Sequence, residues 1–305
     1  MEFYKEDLNE HGLARLKKGT DVLALDERIL NLLAYAGEVQ DEAKDSILSN
    51  LSIEITLSRA LVASSAWFAL ALHANQDHHR FFPRDWLEPR GEGNPDLIMS
   101  CILCQLANYG YSVIELVCRG LDTPARALLR STADLSYMLA VLAADRETFR
   151  EYVLDNTSLP KDHWYKLFSG RKLATRFIKI DAKMGLPTDF TNEMRRFHEE
   201  NGEFFSEAVH HSPTAMLAGA MPINPGTDRL ELAVLGGTSI GASKGTFSYL
   251  TSSLNYGLTM FVASMELRDG FAPTFSLPDF WESGMTLFQE TQPLFLEWLR
   301  ANNRD

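Results

Sequence analysis

Two runs of polar residues interrupt otherwise apolar stretches, and both have helical spacing. Gln105, Asn108, Ser112, Glu115 and Arg119 recur three or four residues apart, as do Arg126, Arg130, Asp134 and Tyr137. At about 100° per residue, each set covers roughly 80° of a helix circumference. Polar groups in an apolar setting need partners, because each unsatisfied one costs on the order of 1–3 kcal/mol and an unpaired charge more. The two stripes are therefore expected to face each other or a shared pocket. One chemistry that fits is recognition of a small anion, for which the planar guanidinium groups of Arg126 and Arg130 are suited. The other is a structural network that fixes register, with Arg130 paired to Asp134 one turn on and Arg126 paired to Glu115.

A third polar cluster is Glu203-Phe204-Phe205-Ser206-Glu207-Ala208-Val209-His210-His211. Ser206 and His210 are one turn apart, and Glu207 and His210 have the Glu-x-x-His spacing of carboxylate-bridged di-metal bundles. Such a centre needs a second Glu-x-x-His, which the sequence lacks, so neither a metal nor a cofactor is expected. His210 has the chemistry of a general base or proton donor, oriented by a carboxylate or by Ser206. A surface or capping histidine is the structural alternative.

Other motifs fail on inspection. Gly237-Thr238-Ser239-Ile240-Gly241 matches a nucleophile elbow, but every histidine precedes Ser239 and that fold places its histidine after the serine. Ser243-Lys244-Gly245-Thr246 reverses the Gly-Lys order of a phosphate-binding loop. Cys101-x-x-Cys104 with Cys118 lacks a fourth ligand and lies in an apolar stretch, so these cysteines read as small core residues rather than a zinc site. Asp77-His78-His79 reads as a solvated turn.

The elements that position these residues follow from the apolar periodicity. Spacings of three and four run through residues 23–33, 47–72, 97–117, 125–142, 167–180 and 250–265, which makes the class all-α or nearly so. The expected architecture is a helical bundle around a central antiparallel hairpin, its arms meeting at Gly120. Asn94-Pro95-Asp96 starts one arm, and Asp122-Thr123-Pro124 starts the other with a capping hydroxyl ahead of a proline. Residues 82–93 and 221–226 are proline- and glycine-rich loops. Arg229–Leu235 reads as one strand of a short β hairpin near 229–240. Three regions are expected: an N-terminal helical region over 1–93, a central domain carrying the pocket over 94–220, and 221–305 as an extended piece plus helices on the same core.

The 305 residues carry a formal charge of −12, which argues against general nucleic-acid binding. The charge is uneven: residues 161–198 hold nine basic and four acidic side chains, the zone where an anionic partner would land. An odd number of cysteines and an N-terminus without a basic and apolar leader predict a reducing, cytoplasmic setting. Of three uncharged runs, Ala60–Leu72 is short, Leu97–Ile114 contains Gln105 and Asn108, and Gly245–Met265 carries seven Ser and Thr plus Asn255. No membrane is therefore expected, and a homo-oligomer is compatible with the sequence.

Ala125-Arg126-Ala127-Leu128-Leu129-Arg130-Ser131-Thr132-Ala133-Asp134-Leu135, followed by Phe205-Ser206-Glu207-Ala208-Val209-His210-His211-Ser212-Pro213, resembles the bacterial domain of unknown function 5677 family over about residues 97–215. Asp134 stands where that family has Glu, and Phe205 where an aliphatic residue is common. The resemblance implies a helical fold that brings Arg130, Asp134 and His210 together, and it implies no settled activity. The Arg-then-His signature of the higher eukaryotes and prokaryotes nucleotide-binding ribonucleases is missing upstream of His210. The leading expectation is a regulatory or defence-type module that binds a small anionic or nucleotide-like ligand. Its pocket would use Arg130, Asp134 and His210, with Asn108, Glu115, Arg126, Tyr137 and Ser206. The competing expectations are a His210-dependent hydrolase or ribonuclease, and an oligomeric scaffold with a buried ion-pair network.

Overall fold

A computed structural model describes residues 20–75, 82, 95–154, 165–168, 171–185, 192, 213, 220–221, 223–224, 229–230, 235–237, 239–266 and 277–302. Among them run the helices α1 (Thr20–Asn50), α2 (Ser52–Asn75), α3 (Pro95–Cys118), α4 (Asp122–Ala144), α5 (Arg146–Leu154), α6 (Arg171–Met184), α7 (Ile240–Glu266) and α8 (Pro278–Asn302). The class is all-α. A two-residue antiparallel pairing joins β1 (Ile223–Asn224) to β2 (Arg229–Leu230), so the partner of Arg229 lies before it, and α7 already begins at Ile240.

Four helices close a ring: α2 packs on α3, α3 on α4, α4 on α7, and α7 back on α2, while α8 lies along the outside of α2. The apolar spacing of each helix produces this arrangement. On α7, Phe247, Leu250, Leu254, Leu258, Phe261 and Met265 form a fully buried stripe at intervals of three and four. Across from it, Phe68 of α2 joins Phe261, Trp281 and Phe288 in one aromatic cluster, with its ring centroid 5.6, 4.9 and 6.5 Å from theirs. Each of the three regions expected from sequence sends at least one helix into this single core.

Two glycines set close approaches. Gly120 ends α3 in the left-handed region (φ +71°), where Gly120 N donates to Val117 O and Leu121 N to Leu116 O, both at 2.8 Å. A Cβ at Gly120 would stand 2.5 Å from Gly237 O, and Gly237 N donates to Gly120 O at 3.1 Å. The glycine-flanked loop before α7 is thereby seated on the hairpin turn. Gly257 lets α7 cross α4 backbone to side, because a Cβ there would lie 2.9 Å from Ser136 O. At the start of α4, Leu121 is the capping position and makes no side-chain cap; Asp122 and Thr123 already belong to the helix.

The polar content of α7 has a structural use. Thr251 and Ser58 share a hydroxyl hydrogen bond of 2.8 Å, Gln292 Nε2 donates to Asn255 Oδ1 at 2.8 Å, and Thr246 Oγ1 donates to Asp122 Oδ1 at 2.8 Å. Trp298 Nε1 likewise donates to the buried Glu54 Oε1 at 3.1 Å. These pairs satisfy groups that would otherwise be stranded in the core.

The expectation of no membrane is corrected by the helix bounds. Residues Ser52–Ala74 of α2, Pro95–Cys118 of α3 and Asp122–Ala144 of α4 are each long and apolar enough, by length and composition, to cross a bilayer. Counting uncharged residues alone misled, because Ala60–Leu72 is the middle of a 24-residue helix and α4 offsets its charges within 23 residues. The run from Gly245 to Met265 is not one of the three. A cytoplasmic setting loses its support on the same ground.

Candidate functional site

The two polar stripes share one cleft at Gln105 and Asp134, while their other members point elsewhere. On α3, Gln105, Asn108 and Arg119 are exposed and Ser112 and Glu115 half-buried, because Met99, Leu103, Leu106, Val113 and Val117 take the inner face. Asn108 Nδ2 reaches back to Cys104 Sγ at 3.7 Å. Glu115 sits with Arg59 and Lys44 as the charged groups around the buried Cys118, and the carboxylate that pairs with Arg126 is that of Asp122 instead.

On α4 the stripe divides three ways. Arg126 is buried, with Nη2 2.5 Å from Asp122 Oδ2, and Asp122 in turn accepts the Thr246 hydroxyl; this group ties the starts of α4 and α7 together. Arg130 Nε lies 3.5 Å from Asp134 Oδ2, both side chains part-exposed at 38% and 25%. Tyr137 is buried against α7, beside Tyr249, Ser253 and Tyr256, with its ring centroid 5.8 Å from that of Tyr256. The Tyr256 hydroxyl points to Asp181 Oδ1 of α6 at 3.4 Å.

Asp134 faces two environments. On one side it forms the wall of a cleft of about 370 Å³ between α3 and α4, together with Gln105, Tyr109, Ser131, Leu135 and Met138. On the other it acts, with Arg130, on the buried Tyr249. Burial pushes the Tyr249 hydroxyl up to about 12, with Arg130 opposing that rise and Asp134 adding to it. Burial also holds Tyr256 far above the usual phenol range, reinforced by the Asp181 carboxylate. Tyr249, Tyr109, Leu135 and Met138 were not singled out from sequence. A signal was there: Ser131, Asp134, Leu135 and Met138 share one face of α4 at spacings of three and four, and Gln105 and Tyr109 lie one turn apart on α3.

The basic zone is largely engaged where it is described. Arg176 Nε donates to Leu167 O at 3.0 Å, Arg176 also bonds the Thr148 hydroxyl and pairs with Asp145 and Glu151 at 3.8 and 4.0 Å. Lys166 pairs with Glu151 at 3.0 Å, and Lys183 Nζ donates to Ala144 O at 3.0 Å, at the negative end of α4. Ser206, Glu207 and His210 lie outside the described residues, so the histidine cluster and its relation to Arg130 are not placed. Cys101 and Cys104 are exposed, and among the described residues no three His, Cys, Asp or Glu side chains come together to hold a metal. No family model, curated protein or solved structure matches this chain.

Proposed function

We propose that the chain is a small-molecule-binding helical bundle whose α3–α4 cleft recognises a nucleotide-like ligand. The observation that carries this reading is the position of Asp134, which lines the cleft while Arg130 holds it from one turn away. Gln105, Ser131 and Asp134 supply hydrogen-bond acceptors and donors for the edge of a planar ring, and Tyr109, Leu135 and Met138 supply an apolar bed. Asp134, held by Arg130, would accept from a donor on the ring edge as a charged acceptor. The Arg130 and Asp134 helix is also the first of the two motifs that resemble the domain of unknown function 5677 family.

The test is a calorimetric titration of the intact protein with a panel of nucleosides, mono- and dinucleotides. Binding by the wild type and a loss of roughly 10-fold or more in Asp134→Asn is expected, the range of a charge-assisted hydrogen bond of about 1.5–3 kcal/mol. Absence of binding across the panel, or an unchanged constant in Asp134→Asn, overturns the reading.

A second reading follows from α2, α3 and α4, whose length and composition suit a bilayer: the bundle works in association with a membrane. Recovery in the membrane fraction after a high-salt wash, with release by detergent, supports it. Recovery in the salt-soluble fraction rejects it.

A further inference from the structure

The charges around the α3–α4 cleft limit what it can hold. Of the described residues that line it, Gln105, Tyr109, Ser131, Asp134, Leu135 and Met138, only Asp134 carries a charge. A phosphate placed among them would meet that carboxylate and no cation of the lining. A cationic ligand fares little better. Arg130 Nε stands 3.5 Å from Asp134 Oδ2, so the carboxylate is already neutralised and an incoming cation meets the guanidinium as well. What remains attracted is a neutral group with polarised N–H bonds, because a hydrogen bond to an ionised acceptor is about twice as strong as one between neutral groups.

The carboxylate has capacity for such donors. Its two oxygens offer about four lone-pair positions, and the Arg130 Nε contact at Oδ2 takes one of them. Two N–H bonds that point the same way can meet both oxygens at once, as in other bidentate pairs. Among the nucleobases, the pairing edge of guanine offers such a pair, the ring N1–H beside the exocyclic amino group. Adenine and cytosine set an acceptor nitrogen beside their amino group, and uracil sets its one N–H between two carbonyls, so each turns an acceptor toward the carboxylate. Gln105 stands on α3 and Asp134 on α4, so the two polar walls come from different helices, and the Gln105 amide carries N–H donors for the guanine O6 next to that pair. Met138 is buried and Tyr109 and Leu135 are half-buried, which gives the faces of the ring apolar and aromatic surface.

We propose that the α3–α4 cleft selects guanine over the other bases, with Asp134 accepting from N1–H and the 2-amino group and the Gln105 amide donating to O6. This rests on the reading of the cleft as a site for a nucleotide-like ligand and narrows that ligand to one base. Any phosphate stays outside the lining, where the Asp134 carboxylate does not repel it.

Calorimetric titration of the full chain with guanosine, inosine, adenosine, cytidine, uridine, xanthosine and agmatine tests this. Guanosine is expected to bind about 10-fold or more tightly than adenosine, cytidine or uridine. Inosine keeps N1–H and O6 but lacks the 2-amino group, and it should lose about 10-fold. Asp134→Asn should move the preference from guanosine to xanthosine, because an amide offers one acceptor and one donor and xanthosine has a carbonyl where guanosine has the amino group. A purely structural role for Asp134 would weaken every ligand alike and leave their order unchanged. Guanosine against inosine on the wild type reads the same contact, so a variant that fails to fold would not leave the question open. Adenosine or inosine binding as tightly as guanosine overturns the choice of base and leaves the nucleotide-like site standing. Agmatine bound in place of every nucleoside, or no binding at all, overturns both.

Discussion

Asp122 is held by two helices at once: Arg126 Nη2 stands 2.5 Å from its Oδ2, and Thr246 Oγ1 donates to its Oδ1 at 2.8 Å. The arginine is buried, so the carboxylate does more than decorate the first turn of α4; it compensates a charge taken out of water.

Removing that compensation should be costly. Asp122→Ala is expected to lower stability by about 3–5 kcal/mol, because a buried guanidinium loses its carboxylate. Thr246→Val should cost about 1 kcal/mol, the net value of a typical hydrogen bond. Urea denaturation of the two single variants and the double variant checks both values, and a double-mutant cycle with no coupling would separate Thr246 from the pair.

The pair formed by Arg130 and Asp134 should behave in the opposite way. Both side chains keep solvent contact, and exposed pairs of this spacing contribute about 0.3–0.5 kcal/mol. Arg130→Gln is therefore expected to leave the urea midpoint nearly unchanged. A loss above about 2 kcal/mol would make the pair part of the bundle's framework and remove it from the cleft's recognition chemistry.

Helix existence was readable from sequence because three- and four-residue apolar spacing is a local property, and the stripe from Phe247 to Met265 carries it in full. Which way a polar stripe points is not local. Partner-seeking of polar groups in an apolar helix predicts that Gln105 and Asn108 face inward, but among the described residues the helices packed on α3 lie against its apolar face and both amides are exposed. Arg126 was matched with Glu115 across the hairpin, whereas the nearer carboxylate is Asp122, one turn back on the same helix. The Ser, Thr and Asn residues of α7 argue in sequence against a bilayer span and for a buried helix, and the helix is buried with Ser58, Asp122 and Gln292 meeting them from other helices. Those partners lie 37 to 193 residues away in the chain, a distance that no spacing rule spans.

The crossing of α4 and α7 gives a packing prediction. A Cβ at position 257 would meet the Ser136 backbone at 2.9–3.1 Å, and backbone inside a helix yields little. Gly257→Ala should cost about 1–3 kcal/mol through separation of the two helices, even though alanine is the better helix former. An unchanged or raised melting temperature would show that α7 slides past α4 freely.

Alkaline pH should loosen the same interface from the inside. Tyr249 titrates near 10.0 when unfolded and is pushed up to about 12 by burial in the fold. Between those values the folded chain keeps a proton that the unfolded chain has lost, so the stability from this group is fully present below pH 10 and is lost as pH rises toward 12. Two units correspond to about 2–3 kcal/mol at most. Tyr249→Phe removes the titration, so stability measured at pH 8 and pH 11.5 should fall less in the variant than in the wild type. Phenolate absorbance near 295 nm should show one fewer late-titrating tyrosine. Parallel losses in the two proteins would place the alkaline transition elsewhere and detach Tyr249 from Arg130 and Asp134.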